Sequence, residues 1–190
     1  MKETRNATLP LAGVKVIEFC AVASGPFCGM LLADMGAEVI KVEPPDGDTL
    51  RQWPPISNGY SENIASLNRN KKSVVLNLKS DEDVAIARRL ILDADVVIEN
   101  NRPGVMDRLG LGYARFAEEK PGLVYCSISA YGQSGPRAGE GGFDLTIQAA
   151  SGVMSCARGD CWPEPCRRPS RCSASSRGSA RSSSRGSTPP

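Results

Sequence analysis

Four groups of residues have types and spacings that could do chemistry. The first is basic: Arg69, Lys71 and Lys72 precede an apolar run and Lys79 follows it. Such a group is either a solvated turn or a contact for a phosphate-bearing ligand, because lysine and arginine match phosphate charge and arginine adds a two-pronged fork. The second is Asp144, which follows a glycine-rich stretch and opens an apolar-periodic segment. On residue type alone it is a helix cap or first-turn acid favoured by the helix dipole. The third is Gly25 and Gly29 with Glu43. A dinucleotide fingerprint needs G-x-G-x-x-G after one strand and an acid after the next. Glu43 could imitate that acid, but the glycines have the wrong spacing, so an NAD-dependent dehydrogenase lacks its signature. The plainer reading is that Gly25 and Pro26 shape a turn and open a helix. The fourth is Cys156, Cys161, Cys166 and Cys172, spaced five, five and six apart in a chain without histidine. Zinc modules use tighter pairs, often with His, and no metal site is expected.

The elements that must position these groups alternate. Val14–Phe19 suits a buried strand. Ser24 and Pro26 fit the start of a helix in which Phe27, Met30, Leu31 and Asp34–Met35 recur at helical spacing and which Gly36 ends. Ala37–Glu43 is a second strand, which completes a βαβ unit and predicts parallel pairing. Residues 44–66 read as an irregular excursion. Further strands are expected at Val74–Leu78, Asp95–Glu99 and Leu123–Ile128. Helices are expected after Ser80 through Val84, Ala87, Leu90 and Ile91, at Val105–Leu109, over Tyr113–Glu119 and at Phe143–Met154. The expected fold class is α/β, a Rossmann-like, largely parallel sheet with helices on both faces. In such sheets ligands bind at the carboxyl ends of strands, which points to Cys20–Pro26, the segment from Glu43, Asn100–Gly104 and Ala130–Gly135.

Composition divides the chain in two. Residues 1–155 carry 16 Lys and Arg against 19 Asp and Glu, whereas residues 156–190 carry seven Arg and two acids, Asp160 and Glu164. That second part holds nine Ser and five Pro, and Trp162 is its one large apolar residue. It is expected to be disordered, because it cannot bury enough apolar surface to offset its ordering entropy. Its Arg, Ser, Pro and Cys bias also fits GC-rich DNA read out of frame. The acidic first part has no basic stripe with interleaved aromatics, which excludes nucleic acid as a partner. No apolar run reaches the roughly 18–20 residues of a membrane span, and Met1–Thr8 does not open a signal peptide. Cys20, Cys28 and Cys126 are scattered and read as small buried side chains in a reducing cytoplasm.

Six stretches follow one another in order: Leu9–Phe19, Ser24-Gly25-Pro26, Leu32–Pro44, Asn68–Ser73, Glu99–Gly110, and Tyr131–Pro136 with Gly142–Leu145 and Gln148-Ala149. In that order they resemble the class III CoA-transferase family, which includes formyl-CoA and carnitine CoA-transferases and the alpha-methylacyl-CoA racemases. The resemblance covers residues 9–155 and implies the N-terminal part of a large domain. It implies acyl-CoA and carboxylate as substrates, no tightly bound cofactor, and interlocked homodimers. By motif position Leu76, Lys79, Asn100 and Arg108 are the implied contacts for the nucleotide side of coenzyme A, and Ala21–Ser24 faces the thioester. Asp144 stands where the family carries an acid close to the thioester, and it is the implied catalytic residue. Racemases pair that acid with a histidine base, so a chain without His is read as a transferase. The transferases' aspartate nucleophile lies beyond Gln148-Ala149 in a Gly/Val-rich stretch that has no counterpart here. A non-catalytic CoA-binding fragment or pseudoenzyme is therefore the alternative expectation.

Overall fold

The structure, a computed structural model, describes residues 9–158. The chain divides into two compact units, Met1–Ile147 and Gln148–Pro190. The first unit opens with β1 (Lys15–Phe19), α1 (Ser24–Asp34) and β2 (Glu38–Glu43). A short hairpin of β3 (Ile56–Ser57) and β4 (Tyr60–Ser61) leads into α2 (Glu62–Leu67) and β5 (Lys71–Val75). Then come α3 (Asp81–Asp93), β6 (Val96–Glu99), α4 (Val105–Arg108) and β7 (Val124–Ser127), before α5 (Asp144–Ala150). In the second unit the described residues hold the end of α5 and α6 (Val153–Arg158).

Five strands form one sheet in the order β5-β2-β1-β6-β7, and every pairing is parallel. β1 is central because the chain first moves outward through β2 to β5 and then returns to β6 on the other side of β1. Adjacent residues of a strand point to opposite faces. Val16 accordingly packs with Ala33, Val39 and Ile98 in one apolar cluster, whereas Ile17 packs with Ala87, Ile91, Val97 and Phe116 in the other. One face is covered by α1 and the other by α3 and α4. The expected α/β class with helices on both faces is what the chain forms.

Differences from the expected elements have local causes. β5 spans Lys71–Val75 rather than Val74–Leu78, because parallel pairing with β2 from Val39↔Lys71 to Glu43↔Val75 sets its register. Leu76 then leaves the sheet and fills the core at 5% exposure. The 44–66 excursion is ordered by a 3-10 turn at Thr49–Gln52, the β3–β4 hairpin and α2, which Ser61 caps through the Ile64 amide. Tyr113–Arg115 is a single 3-10 turn rather than a helix to Glu119. The helix expected over 143–154 is two, separated at Ser151 and Gly152, where Gly152 takes φ 79°.

Of the apolar residues that recur along α1, only Met30 is buried. Phe27, Leu31 and Met35 are exposed by 49%, 44% and 40%, while Gly25, Pro26, Gly29, Met30 and Ala33 face the sheet. The helix lies so close to β1 that a Cβ on Gly29 would fall 1.9 Å from Glu18 Oε2. These glycines permit backbone approach. Ser24 is the first helical residue, not a cap, and Ala23 precedes it without a side-chain bond. The tail expectations, apart from residues 156–158, lie outside the described residues.

Candidate functional site

In an open parallel sheet, the crevice for ligands forms where neighbouring strands send their connections in opposite directions. Here that point lies between β1 and β6. Beyond their carboxyl ends is a cavity of about 790 Å³, lined by Ala21–Ser24 after β1, Asn100–Pro103 after β6, and Ile128–Ala130 after β7. Phe27, Leu67, Phe143 and Ile147 supply apolar wall, and Glu140–Gly142 and Asp144 close one side.

Asn100 ties the two strand ends together. Its Oδ1 accepts from the Ala21 amide at 2.9 Å, and its Nδ2 donates to the Ala21 carbonyl at 2.8 Å and to Ser24 Oγ at 3.3 Å. The next residue, Val22, has φ 64°, a left-handed conformation that costs a β-branched residue strain and persists only where surroundings impose it. The Val22 amide reaches Asp48 Oδ1 at 3.4 Å, and the carbonyl of Cys20 accepts from Lys41 Nζ at 2.7 Å. Replacing Asn100 by Ala should cost about 1–2 kcal/mol, since it removes these bonds from a half-buried site. Urea unfolding and amide exchange check this, and an Ala21 amide that exchanges no faster in the variant would contradict the clamp.

A buried ionic cluster supports the loop from below. Glu18 is fully buried and lies between two lysines, 3.2 Å from Lys41 Nζ and 2.7 Å from Lys71 Nζ. Lys41 also sits 2.9 Å from Asp48 Oδ2, an atom that has this charge contact but no hydrogen bond of good geometry. Lys71 donates to the Pro26 carbonyl at 2.7 Å, so the two ammonium groups hold the start of the β1–α1 loop and the first turn of α1. Burial pushes the Lys71 ammonium below the ordinary lysine range, and Glu18 opposes that shift. The Cys20 thiol beneath the loop is pushed well up, first by burial and then by the Glu18 charge. It stays a thiol and is no nucleophile.

The structure brings two of the five candidate residues to the cavity, Asn100 and Asp144. Asp144 is exposed at the first position of α5. The other three are elsewhere on the carboxyl side of the sheet. Leu76 is buried in the core and its amide donates to the Glu43 carbonyl. Lys79 is exposed in the turn after β5, and Arg108 is exposed at the end of α4. Neither cation has a side-chain hydrogen bond or ion pair among the described residues. The basic group reads differently: Arg69 pairs with Asp34, Lys71 with Glu18 and Lys72 with Glu38, which leaves only Lys79 of the four uncommitted. Glu43, the imitation of a ribose-binding acid, is engaged by Arg51, Ser73 and the Asp48 amide. The sequence reading missed Glu18, Lys41 and Asp48 as supports of the loop. It also gave Arg102 no role, although the strand-end rule pointed to its segment.

Comparison with known proteins bears on what such a cavity serves. Residues 11–175 match the sequence model of CoA-transferase family III, a match that runs past the change of composition at 155. A succinate–glutarate CoA-transferase of Agrobacterium fabrum is 44% identical over 163 residues, which is 82% of this chain and 41% of that protein. An acetyl-CoA:oxalate CoA-transferase of Acetobacter aceti is 45% identical over 146 residues, covering 76% of this chain and 38% of that one. The crystal structure of a CAIB/BAIF family protein from Brucella suis superposes with a TM-score of 0.74 at 39% identity, over 86% of this chain and 43% of that chain. The chain thus spans about two-fifths of the length of these relatives.

Proposed function

We propose that this chain, which belongs to CoA-transferase family III, binds an acyl-CoA along the carboxyl rim of its sheet and serves the transfer of coenzyme A from that thioester to a carboxylate. The observation that carries this reading is the cavity at the switch point between β1 and β6, mostly apolar, with Ser24, Asn100 and Asp144 on its wall. An apolar cleft with a few placed polar groups suits a pantetheine thioester. Lys79 and Arg108, uncommitted on the same rim, suit the phosphates of the nucleotide end. Asp144 is our candidate for the carboxylate next to the thioester. The relatives carry the names of succinate, glutarate and oxalate, and we extend to this chain a dicarboxylate as the acceptor. The reading keeps the cytoplasm as compartment and a homodimer as assembly. It treats residues 1–155 as the enzyme's part and 156–190 as a foreign tail.

In the transfer, a protein carboxylate attacks the thioester carbonyl, and the C–S bond breaks to release coenzyme A as thiolate and leave a mixed anhydride between the protein and the acyl group. The thiolate then attacks the protein's acyl carbon, which frees the first carboxylate and leaves a protein–CoA thioester. The incoming acid repeats the two steps in reverse. A second reading, CoA binding without turnover, is favoured by the stretch after Asp144, whose only acids are Asp160 and Glu164 in Pro-rich and Arg-rich sequence.

Calorimetric titration with CoA and with NAD tests the ligand, and a preference for NAD would overturn both readings. Arg108→Ala should weaken CoA by about 1.5–3 kcal/mol, roughly ten- to a hundredfold, if its fork holds phosphate. Incubation with succinyl-CoA and labelled glutarate, followed by hydroxylamine, separates the readings. Labelled glutaryl-CoA or a protein hydroxamate identifies the transferase, and CoA binding with neither identifies the binder.

A further inference from the structure

We infer that Arg102 binds the carboxylate that a dicarboxylic acid keeps free while its other end exchanges coenzyme A, and so selects diacids over monoacids. The inference rests on the transferase reading of the same cavity. Among the described residues, Arg102 is the one cation that lines it. Its guanidinium makes no hydrogen bond or ion pair with a described residue, unlike Arg51, Arg69, Arg88 and Arg137, each of which pairs with a carboxylate. An arginine left uncommitted on an apolar wall is suited to bring an anion in, because a carboxylate there needs a partner for its charge. The guanidinium fork matches the two oxygens of a carboxylate with parallel bonds, which a single ammonium cannot do.

Two features fix where that fork stands. Arg102 follows directly on Asn100, whose bonds to Ala21 and Ser24 lock the end of β6, and Asn101, whose Nδ2 donates to the Phe19 carbonyl at 3.3 Å. Gly141 on the facing segment leaves the space the guanidinium occupies: a Cβ there would lie 2.9 Å from Arg102 Nη2. The other charges on the wall are acidic, and they distribute the roles. Glu140 is neutralised by Arg137 at 2.8 Å, and Asp144 is a further acid on the lining, so the cation that can attract an anion there is Arg102. An acid with carboxylates at both ends therefore has one place in this cavity where an end that does not react is held by charge.

The test compares glutarate with pentanoate, which has the same chain length and one carboxylate, by calorimetry on the full chain with and without saturating CoA. The unchanged protein should prefer glutarate by about tenfold or more, the effect expected of a charge-assisted pair. Arg102→Met should bring the ratio close to one while CoA affinity stays within about twofold. Gly141→Ala, which displaces only the flexible end of Arg102, should lower the ratio with the fold intact by circular dichroism. No preference in the unchanged protein, or a preference that survives Arg102→Met, overturns the inference. So does an Arg102→Met protein that loses CoA and keeps the ratio, since Arg102 would then be a phosphate contact. Failure of CoA to bind removes the transferase reading, whereas the glutarate ratio without CoA judges Arg102 separately.

Discussion

Lys41→Met should lower the unfolding free energy by about 3–5 kcal/mol, the cost of removing one partner from a buried ion pair. The side chain is 2% exposed and its ammonium serves Glu18, Asp48 and the Cys20 carbonyl together. With Lys71, the four groups carry two charges of each sign, so the cluster is neutral as built. Removing Lys41 leaves a buried excess of negative charge that water cannot reach, and an orphaned Cys20 carbonyl just after β1. Domains of this size are stable by only about 5–15 kcal/mol, so the loss is a large share of the whole. Asp48→Asn in the same protein restores neutrality while its side-chain oxygen can still accept from the Leu50 amide. The double variant should recover about 1–2 kcal/mol relative to the sum of the single changes. Urea midpoints followed by circular dichroism measure all four proteins, and additive losses would show that Lys41 and Asp48 do not act as a pair.

That cluster also shows where reading a sequence stops. The strands were legible because a parallel sheet buries both faces and leaves continuous apolar runs, as in Val14–Phe19 and Asp95–Glu99, observed within one residue of each limit. Glu18 and Lys41 interrupt two of those runs and look like residues that face water. They become partners only because β1 and β2 pair in a register that sets Glu18 opposite Lys41. Lys71 joins them from β5, and nothing local to Lys71 and Lys72 says which of the two turns inward. On α1 the apolar periodicity picked out Met30, which is buried, but also Phe27 and Leu31, which are exposed, because packing distance was set by Gly25 and Gly29 rather than by side-chain size. The cavity was legible through the rule for strand ends, and so was the segment that holds Asn100 and Arg102. Which side chain clamps the backbone and which remains uncommitted depends on the β1–β6 juxtaposition, which becomes visible only when the chain is folded.

The second large effect is expected in acid, at Glu43. Burial pushes this carboxyl up, but the Arg51 fork at 2.8 and 2.6 Å, the Ser73 hydroxyl at 2.6 Å and the Asp48 amide at 2.9 Å outweigh it. The folded group is held down to about 2, against an ordinary value of 4.5. A carboxyl whose folded value is depressed stabilises the fold above the unfolded value, and that stabilisation is lost as pH falls through the folded one. The window is therefore pH 4.5 down to about 2, and within it stability rises with pH because the unfolded chain binds the extra proton. The full shift would be worth about 3 kcal/mol. The Arg51 side chain is 45% exposed and solvent screens it, so about 2 kcal/mol is the better expectation. Glu43→Gln should cost that amount at pH 7, and the difference from the unchanged protein should narrow steadily at pH 4, 3.5 and 3. A difference that stays constant across those urea titrations would mean that Glu43 acts by packing and not by charge. The effect reaches the cavity through Asp48, whose amide Glu43 holds and whose carboxylate steadies Val22 and Lys41. Acid should then lower the protection factor of the Val22 amide, its exchange relative to the intrinsic rate at each pH, before those of the sheet amides of β1 and β6, since the loop loses its support first.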